Sequence, residues 1–189
     1  MPSLRRLQPE DWPLLKAVRL EMLADTPMAY VESLQAARRQ TDAQWHERAS
    51  AMSADDSVTL IADEGGRGSR IRALMRVVVK HPQDPGRALQ AMLISVYVAP
   101  EYRGLGLADQ LLKECCEAAE IDLGAHSLEL GVHEDNGRAL AFYTRHGFQL
   151  TGESKPYPLD PDKLELVMER QLIAAEGGSA DGSNLNAQH

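Results

Sequence analysis

The pattern of apolar and polar positions changes period repeatedly along the chain. Residues 3–7 (SLRRL) are short and partly alternating, as a first strand would be, and the Pro-Glu-Asp that follows reads as a helix start. From Trp12 to Leu23, apolar residues at 12, 15, 18, 20, 22 and 23 recur at helical intervals, and Thr26-Pro27 ends that helix. A second helical stretch over 32–52 is broken near Thr41-Asp42, where Thr41 can cap a helix carrying Trp45 and Arg48. VTLIAD (58–63) and IRALMRVVVK (71–80), separated by the turn-like EGGRGS, predict a hairpin. After the loop HPQDPGR, the segment ALQAMLISVYV is apolar at both parities, which predicts a central strand buried on both faces.

Beyond that strand the pattern returns to helical spacing. Leu107, Leu111, Cys115 and Ala119 make the buried stripe of a helix over 107–120, with Gly124 just past its end. SLELGV (127–132) predicts another strand, 136–146 a helix ended by Gly147, and 148–151 and 164–170 two further strands. The order β-α-α-β-β-β-α-β-α-β-β defines an α/β fold. At 189 residues the chain is most simply one domain over 1–172, followed over 173–189 by a tail that lacks apolar residues to bury and is predicted disordered.

Composition narrows the function classes. With 43% hydrophobic and 25% charged residues and no apolar run near the roughly 20 residues of a span, the sequence predicts no membrane insertion. MPSLRRLQPEDW carries no apolar h-region, so a cytoplasmic location is expected. A net charge of -8 argues against a nucleic-acid partner, which needs a clustered basic surface. Cys115 and Cys116, adjacent on a helical pattern, suit neither a disulfide nor a zinc site and read as reduced packing residues. The histidines lack metal-ligand spacing, so no metal is expected.

The chemistry concentrates where the central strand ends, in VYVAPEYRGLGLADQLL (96–112). A dinucleotide fingerprint starting at Gly104 and Gly106 would have Asp109 in its third position, and a Walker loop would need Gly-Lys-Ser/Thr where this chain has Gly-Leu-Ala. What the residues do allow is a row of amide N–H groups from Gly104 to Asp109 converging at a helix N-terminus, where partial positive charge favours a pyrophosphate. Glycine at 104 and 106 lets backbone approach a ligand closely.

Arg103-Gly104-Leu105-Gly106-Leu107-Ala108 resembles the Q/R-x-x-G-x-G/A motif of the GNAT superfamily of N-acetyltransferases, approached as in that family by an apolar strand and Pro-x-x-Arg. Asn136, Ala139, Phe142, Tyr143, Gly147 and Phe148 are similar to the family's later N-x-x-A-x-x-F-Y-x-x-x-G-F block. The resemblance implies a mixed, mostly antiparallel sheet of six or seven strands with helices on both faces. It also implies that the strand ending at Val98 and strand 127–132 run parallel and splay apart around acetyl-CoA. The pantetheine arm would pair with backbone at Val96 and Val98, the pyrophosphate would sit on residues 103–108, and Asn136 would contact the cofactor or cap its helix.

The same resemblance implies direct acetyl transfer to a primary amine, with Tyr143 as the acid that protonates the leaving thiolate and a backbone N–H near Val98 for the carbonyl oxygen. Some relatives carry a glutamate five residues before the asparagine, where this chain has Gly131; the proton acceptor is therefore open between Glu129, His133, Glu32 and water. The acceptor, a small-molecule amine or a peptide amine, would be walled by residues 25–35, 81–88 and 153–162. A homodimer is compatible with these features. Two rival readings are a non-catalytic acyl-CoA-binding sensor or scaffold, and a transferase for a longer acyl group.

Overall fold

The computed structural model describes residues 2–66, 68–80 and 88–172; the HPQDPGR loop and the predicted tail lie outside the described residues. Its strands are β1 (Ser3–Arg6), β2 (Ser57–Asp63), β3 (Ile71–Lys80), β4 (Gln90–Val98), β5 (Ser127–His133), β6 (Gln149–Tyr157) and β7 (Asp160–Gln171). The α-helices are α1 (Trp12–Asp25), α2 (Leu34–Arg38), α3 (Asp42–Met52), α4 (Leu107–Ile121) and α5 (Gly137–Arg145). The break in the second helical stretch is the expected one: Thr41 Oγ1 accepts the Gln44 N–H, and Gln44 Oε1 accepts the Thr41 N–H at 2.8 Å, a closed capping box.

The seven strands form one sheet in the order β1-β2-β3-β4-β5-β7-β6, and every neighbouring pair is antiparallel except β4 with β5. That parallel pairing covers Gln90↔Ser127, Ala91↔Leu128 and Met92↔Glu129 and then stops, so the two strands diverge toward their C-terminal ends. The cause lies in β4. Leu74 of β3 faces Tyr97 and Arg76 faces Ile94, so β4 carries one residue more than β3 between these pairs. Ser95 sits in this bulge with φ 55°, a left-handed conformation that a residue with a Cβ adopts at a cost of roughly 1–2 kcal/mol. Such a bulge bends its strand away from the neighbour it would otherwise pair with.

Helices cover the sheet unevenly. On one face the α4 stripe Leu107, Leu111, Cys115 and Ala119 is fully buried against Leu60, Met75, Val77 and Leu128, with Tyr143 of α5 and Phe148 beside it. On the other face, Leu15, Val18 and Met22 of α1 and Ala49 and Met52 of α3 pack on Ile61, Leu74 and Tyr97. That second layer stops at the centre of the sheet. Glu129, Gly131 and His133 of β5 lie on the same face as Met92, and their β7 partners Val167 and Glu165 share it, yet here the face opens into a cavity. β4 is therefore not buried on both faces as its composition predicts: Ala91, Leu93 and Tyr97 are buried, while Met92, Ile94 and Val96 are half-buried along the opening.

β6 and β7 are also longer than their apolar pattern predicts. Residues 153–162, expected only to wall the acceptor site, continue β6 through Tyr157 and turn into β7 from Asp160. β6 is an edge strand, exposed along nearly its whole length, so it needs no apolar alternation and tolerates Pro156.

Candidate active site

Two cavities meet at the divergence of β4 and β5. One, of about 480 Å³, lies between the β4 end, the 103–106 loop with the start of α4, and α5. The other, of about 520 Å³, lies over the uncovered face of β5 and β7. Tyr30, Val96, Asn136, Ala139 and Tyr143 line both, so the two spaces adjoin at Tyr143.

The first cavity gathers most of the residues singled out in the sequence: Val96, Val98, Arg103, Gly104, Gly106, Ala108, Asn136 and Tyr143. Leu105 and Leu107 stand apart. Leu105 is exposed and Leu107 is buried in the α4 core, so these two can contribute backbone alone. Gly104 and Gly106 take φ of 77° and 82°, and a Cβ on either would meet nothing within 4 Å. Glycine is thus required by the backbone turn, and the space above it is open to a ligand. Gly106 is the N-cap of α4, whose first N–H groups have no acceptor inside the helix. These open amides, the free volume and the adjoining apolar strand fit a diphosphate joined to an extended chain.

Along β4, Leu74 faces Tyr97 and the Ala99 N–H donates to Arg72 O at 2.7 Å. By the two-residue alternation of an antiparallel ladder, the polar backbone groups of Val96 and Val98 then point away from β3, into the splay. Their carbonyls are engaged: Tyr30 Oη donates to Val96 O and Arg103 Nε to Val98 O, each at 2.9 Å. Arg103 also pairs with Asp25 at the end of α1, so its guanidinium ties the loop to the helix and the strand, and its charge is largely matched. Arg138, which the sequence reading passed over, lines the same cavity and forms no ion pair among the described residues. Its place two residues beyond Asn136 was a signal available in the sequence. Asn136 Oδ1 accepts the Ala139 N–H at 3.0 Å and caps α5.

Tyr143 is buried edge-on between Phe142 and Phe148, with ring centroids 5.1 and 5.6 Å away. Burial pushes its phenol well above the ordinary tyrosine value, with nearby Tyr30 and Cys115 adding to the shift. No side chain among the described residues hydrogen-bonds its hydroxyl. Tyr143 is therefore a protonated donor held at the junction of the two cavities. Tyr30 is likewise pushed up to about 12, chiefly by burial.

The acid–base candidates separate sharply. Glu32 is clasped by Arg19 Nε at 2.9 Å, by both terminal nitrogens of Arg48 at 3.0 Å and by Gln40; burial opposes its ionisation, but these hydrogen bonds hold its carboxyl below the usual range. It is a strut, not a proton acceptor. Glu129 is buried, with Lys80 Nζ at 2.9 and 2.8 Å from its two oxygens. His133 Nδ1 accepts the Asp135 N–H at 3.1 Å, which puts the proton of a neutral ring on Nε2 and leaves no free lone pair. Burial raises the thiols of Cys115 and Cys116 above the ordinary range, as expected of packing residues.

The comparisons with known proteins agree with this architecture. The model of the acetyltransferase (GNAT) family matches residues 15–148, and the chain belongs to that family. An uncharacterised N-acetyltransferase of Mycobacterium bovis is 34% identical over 82 residues, 43% of this chain and 51% of that protein. The match thus spans about half the length of that relative. The L-amino acid N-acetyltransferase AaaT of Escherichia coli is 25% identical over 161 residues, covering 82% of this chain and 88% of its own. The structure of yncA from Salmonella typhimurium with its cofactor acetyl-CoA superposes with a TM-score of 0.70 at 18% identity, covering 95% of this chain and 99% of that one.

Among the described residues no group of three or more His, Cys, Asp or Glu could hold a metal ion, and no helix is long and apolar enough to cross a membrane.

Proposed function

We propose that the protein is an acetyl-CoA-dependent N-acetyltransferase acting on a primary amine of a small molecule. The observation that carries this reading is the junction of the two cavities at Tyr143, with a bare amide row on one side and a polar, helix-free sheet face on the other. In this reading the amides of residues 104–109 and the Arg138 guanidinium hold the diphosphate end of acetyl-CoA. The backbone of Val96 and Val98 aligns the pantetheine arm as an added strand. Acetyl-CoA supplies the activated acyl group.

The rest is done by this chain. A backbone N–H at the β4 bulge, near Val98, stabilises the carbonyl oxygen as it becomes negative. Tyr143, protonated at neutral pH, gives its proton to the departing sulfur. The acceptor enters over β5 and β7, past the wall formed by Tyr30, Val31, Lys155 and Tyr157. The similarity to AaaT, an L-amino acid N-acetyltransferase, supports an amino-acid-sized amine as the first class to test.

The test is thiol release from acetyl-CoA in the presence of L-leucine, L-lysine, spermidine, kanamycin and an alanine-initiated peptide. Turnover on any of these, with Tyr143→Phe lowering kcat by about 10² and leaving the acetyl-CoA KM within a factor of about three, is the expected result. Tight acetyl-CoA binding with no turnover across the panel would leave the protein a binding module.

A further inference from the structure

Gly131 stands on β5 directly beside a carboxylate that the sequence does not suggest. A Cβ built on Gly131 would lie 2.5 Å from Glu165 Oε1 and 2.7 Å from its Cγ, so the volume that any side chain at 131 would fill is already occupied by Glu165, reaching across from β7. The register explains the reach: Gly131 faces Val167 and His133 faces Glu165, so Glu165 sits one pair further along the same sheet face and folds back over the glycine.

We propose that Glu165 is the proton acceptor for the incoming ammonium group, held in the acceptor cavity by the space that Gly131 leaves. This rests on the transferase reading above. Glu165 lines the cavity shared with Tyr143, and its carboxylate forms no ion pair or side-chain hydrogen bond among the described residues. In this it differs from Glu129, neutralised by Lys80, and from Glu32, bound by two arginines. A cation fixed on a carboxylate occupies its oxygens and cancels its attraction for a second cation, whereas the Glu165 carboxylate, in no ion pair among the described residues, keeps its charge available to an incoming ammonium group. His133, opposite Glu165, has its acceptor nitrogen engaged. The other charged or titratable groups facing Glu165 are Lys155, its cross-strand neighbour, and Tyr157 on β6, with Glu129 further along β5, paired with Lys80 of β3, and Tyr30 on the cavity wall.

The proton balance is complete with residues in place. R–NH₃⁺ gives one proton to Glu165, and the freed lone pair forms the N–C bond as the C–S bond breaks. The leaving sulfur takes a proton from Tyr143. The second proton lost by nitrogen returns the tyrosine to its neutral form through solvent, and Glu165 releases its own to bulk water, so one proton is produced per amide.

The decisive experiment is kcat against pH for the amine of the panel turned over fastest, in wild type, Glu165→Gln and Gly131→Ala, with acetyl-CoA affinity measured by calorimetry for each. The expected result is a loss in kcat of about 10² at pH 7 for Glu165→Gln, shrinking toward pH 10 where roughly a quarter of an amine of pKa about 10.4 is already neutral, with acetyl-CoA affinity unchanged. Gly131→Ala keeps the carboxylate but must displace it, and is expected to lose at least tenfold at pH 7 with the same recovery. Wild-type turnover with Glu165→Gln within twofold of it at every pH would overturn this assignment while leaving the transferase reading intact. Absence of turnover in wild type itself would overturn both. A loss in Glu165→Gln that is equal at pH 7 and pH 10 would make the residue structural and likewise overturn the proposal.

Discussion

A single residue decides several of the site's properties. Tyr143 is legible in the sequence as an aromatic beside Phe142, but its protonation state is a consequence of burial that no local pattern encodes. Because its phenol is pushed above the ordinary value, its own ionisation does not limit turnover on the basic side below about pH 10, the unshifted tyrosine value. Gly106 is the complementary case. At φ 82° with nothing within 4 Å of a Cβ, Gly106→Ala meets no clash, so its cost is backbone strain of roughly 1–2 kcal/mol. The added methyl also stands over the amides proposed to hold the diphosphate. We expect Gly106→Ala to raise the acetyl-CoA KM at least tenfold while kcat changes little, a split visible in steady-state kinetics. Arg103 belongs to the motif as a sequence, yet the structure gives it a tethering role between Asp25 and Val98.

At the scale of elements, the segment between α1 and α3 carries Tyr30, whose hydroxyl grips β4 at Val96, and it is anchored by Glu32 between Arg19 and Arg48. Glu32→Gln removes the charge from this anchor and is expected to cost roughly 1.5–3 kcal/mol, the range for hydrogen bonds to charged groups. The folded-state carboxyl lies below its ordinary value, so its stabilisation is present above the unfolded value near pH 4.3 and is lost as pH falls below it. Thermal unfolding between pH 6 and pH 3 should therefore show a steeper drop in Tm for wild type than for Glu32→Gln. The helices and their caps were readable because Thr41, Asn136 and the α4 stripe follow local rules of spacing and hydrogen bonding. The full length of β6 was not, since an exposed edge strand carries no apolar alternation. Nor was the Ser95 bulge, which shows itself only in the register between β3 and β4.

In the whole molecule, the sheet is continuous from β1 to β4 and from β5 to β6, and the two halves are joined by the short β4–β5 pairing, the Lys80–Glu129 ion pair, the Gln90–Glu169 hydrogen bond and the helices across them. A ligand lying in the splay touches β4 and the α4 start on one side and α5 on the other, so it bridges both halves. Binding that is confined to the folded state at about 100 times Kd contributes about 2.7 kcal/mol. For a protein of this size, acetyl-CoA should then raise Tm by about 5–10 °C, measured by scanning calorimetry, and by much less in Gly106→Ala at the same ligand concentration.

Sequence by itself determined the order of elements, the helix caps, the glycine loop and the family resemblance, because each depends on residues close together in the chain. The tertiary structure decided which carboxylates are neutralised, which cavity wall is left without a helix, and that Glu165 occupies the place above Gly131. Those outcomes depend on strand register and on charges brought together from residues as far apart as Lys80 and Glu129, or Arg19 and Arg48 around Glu32. A local pattern fixes backbone conformation; the ionisation and reach of a side chain follow from what the folded chain places around it.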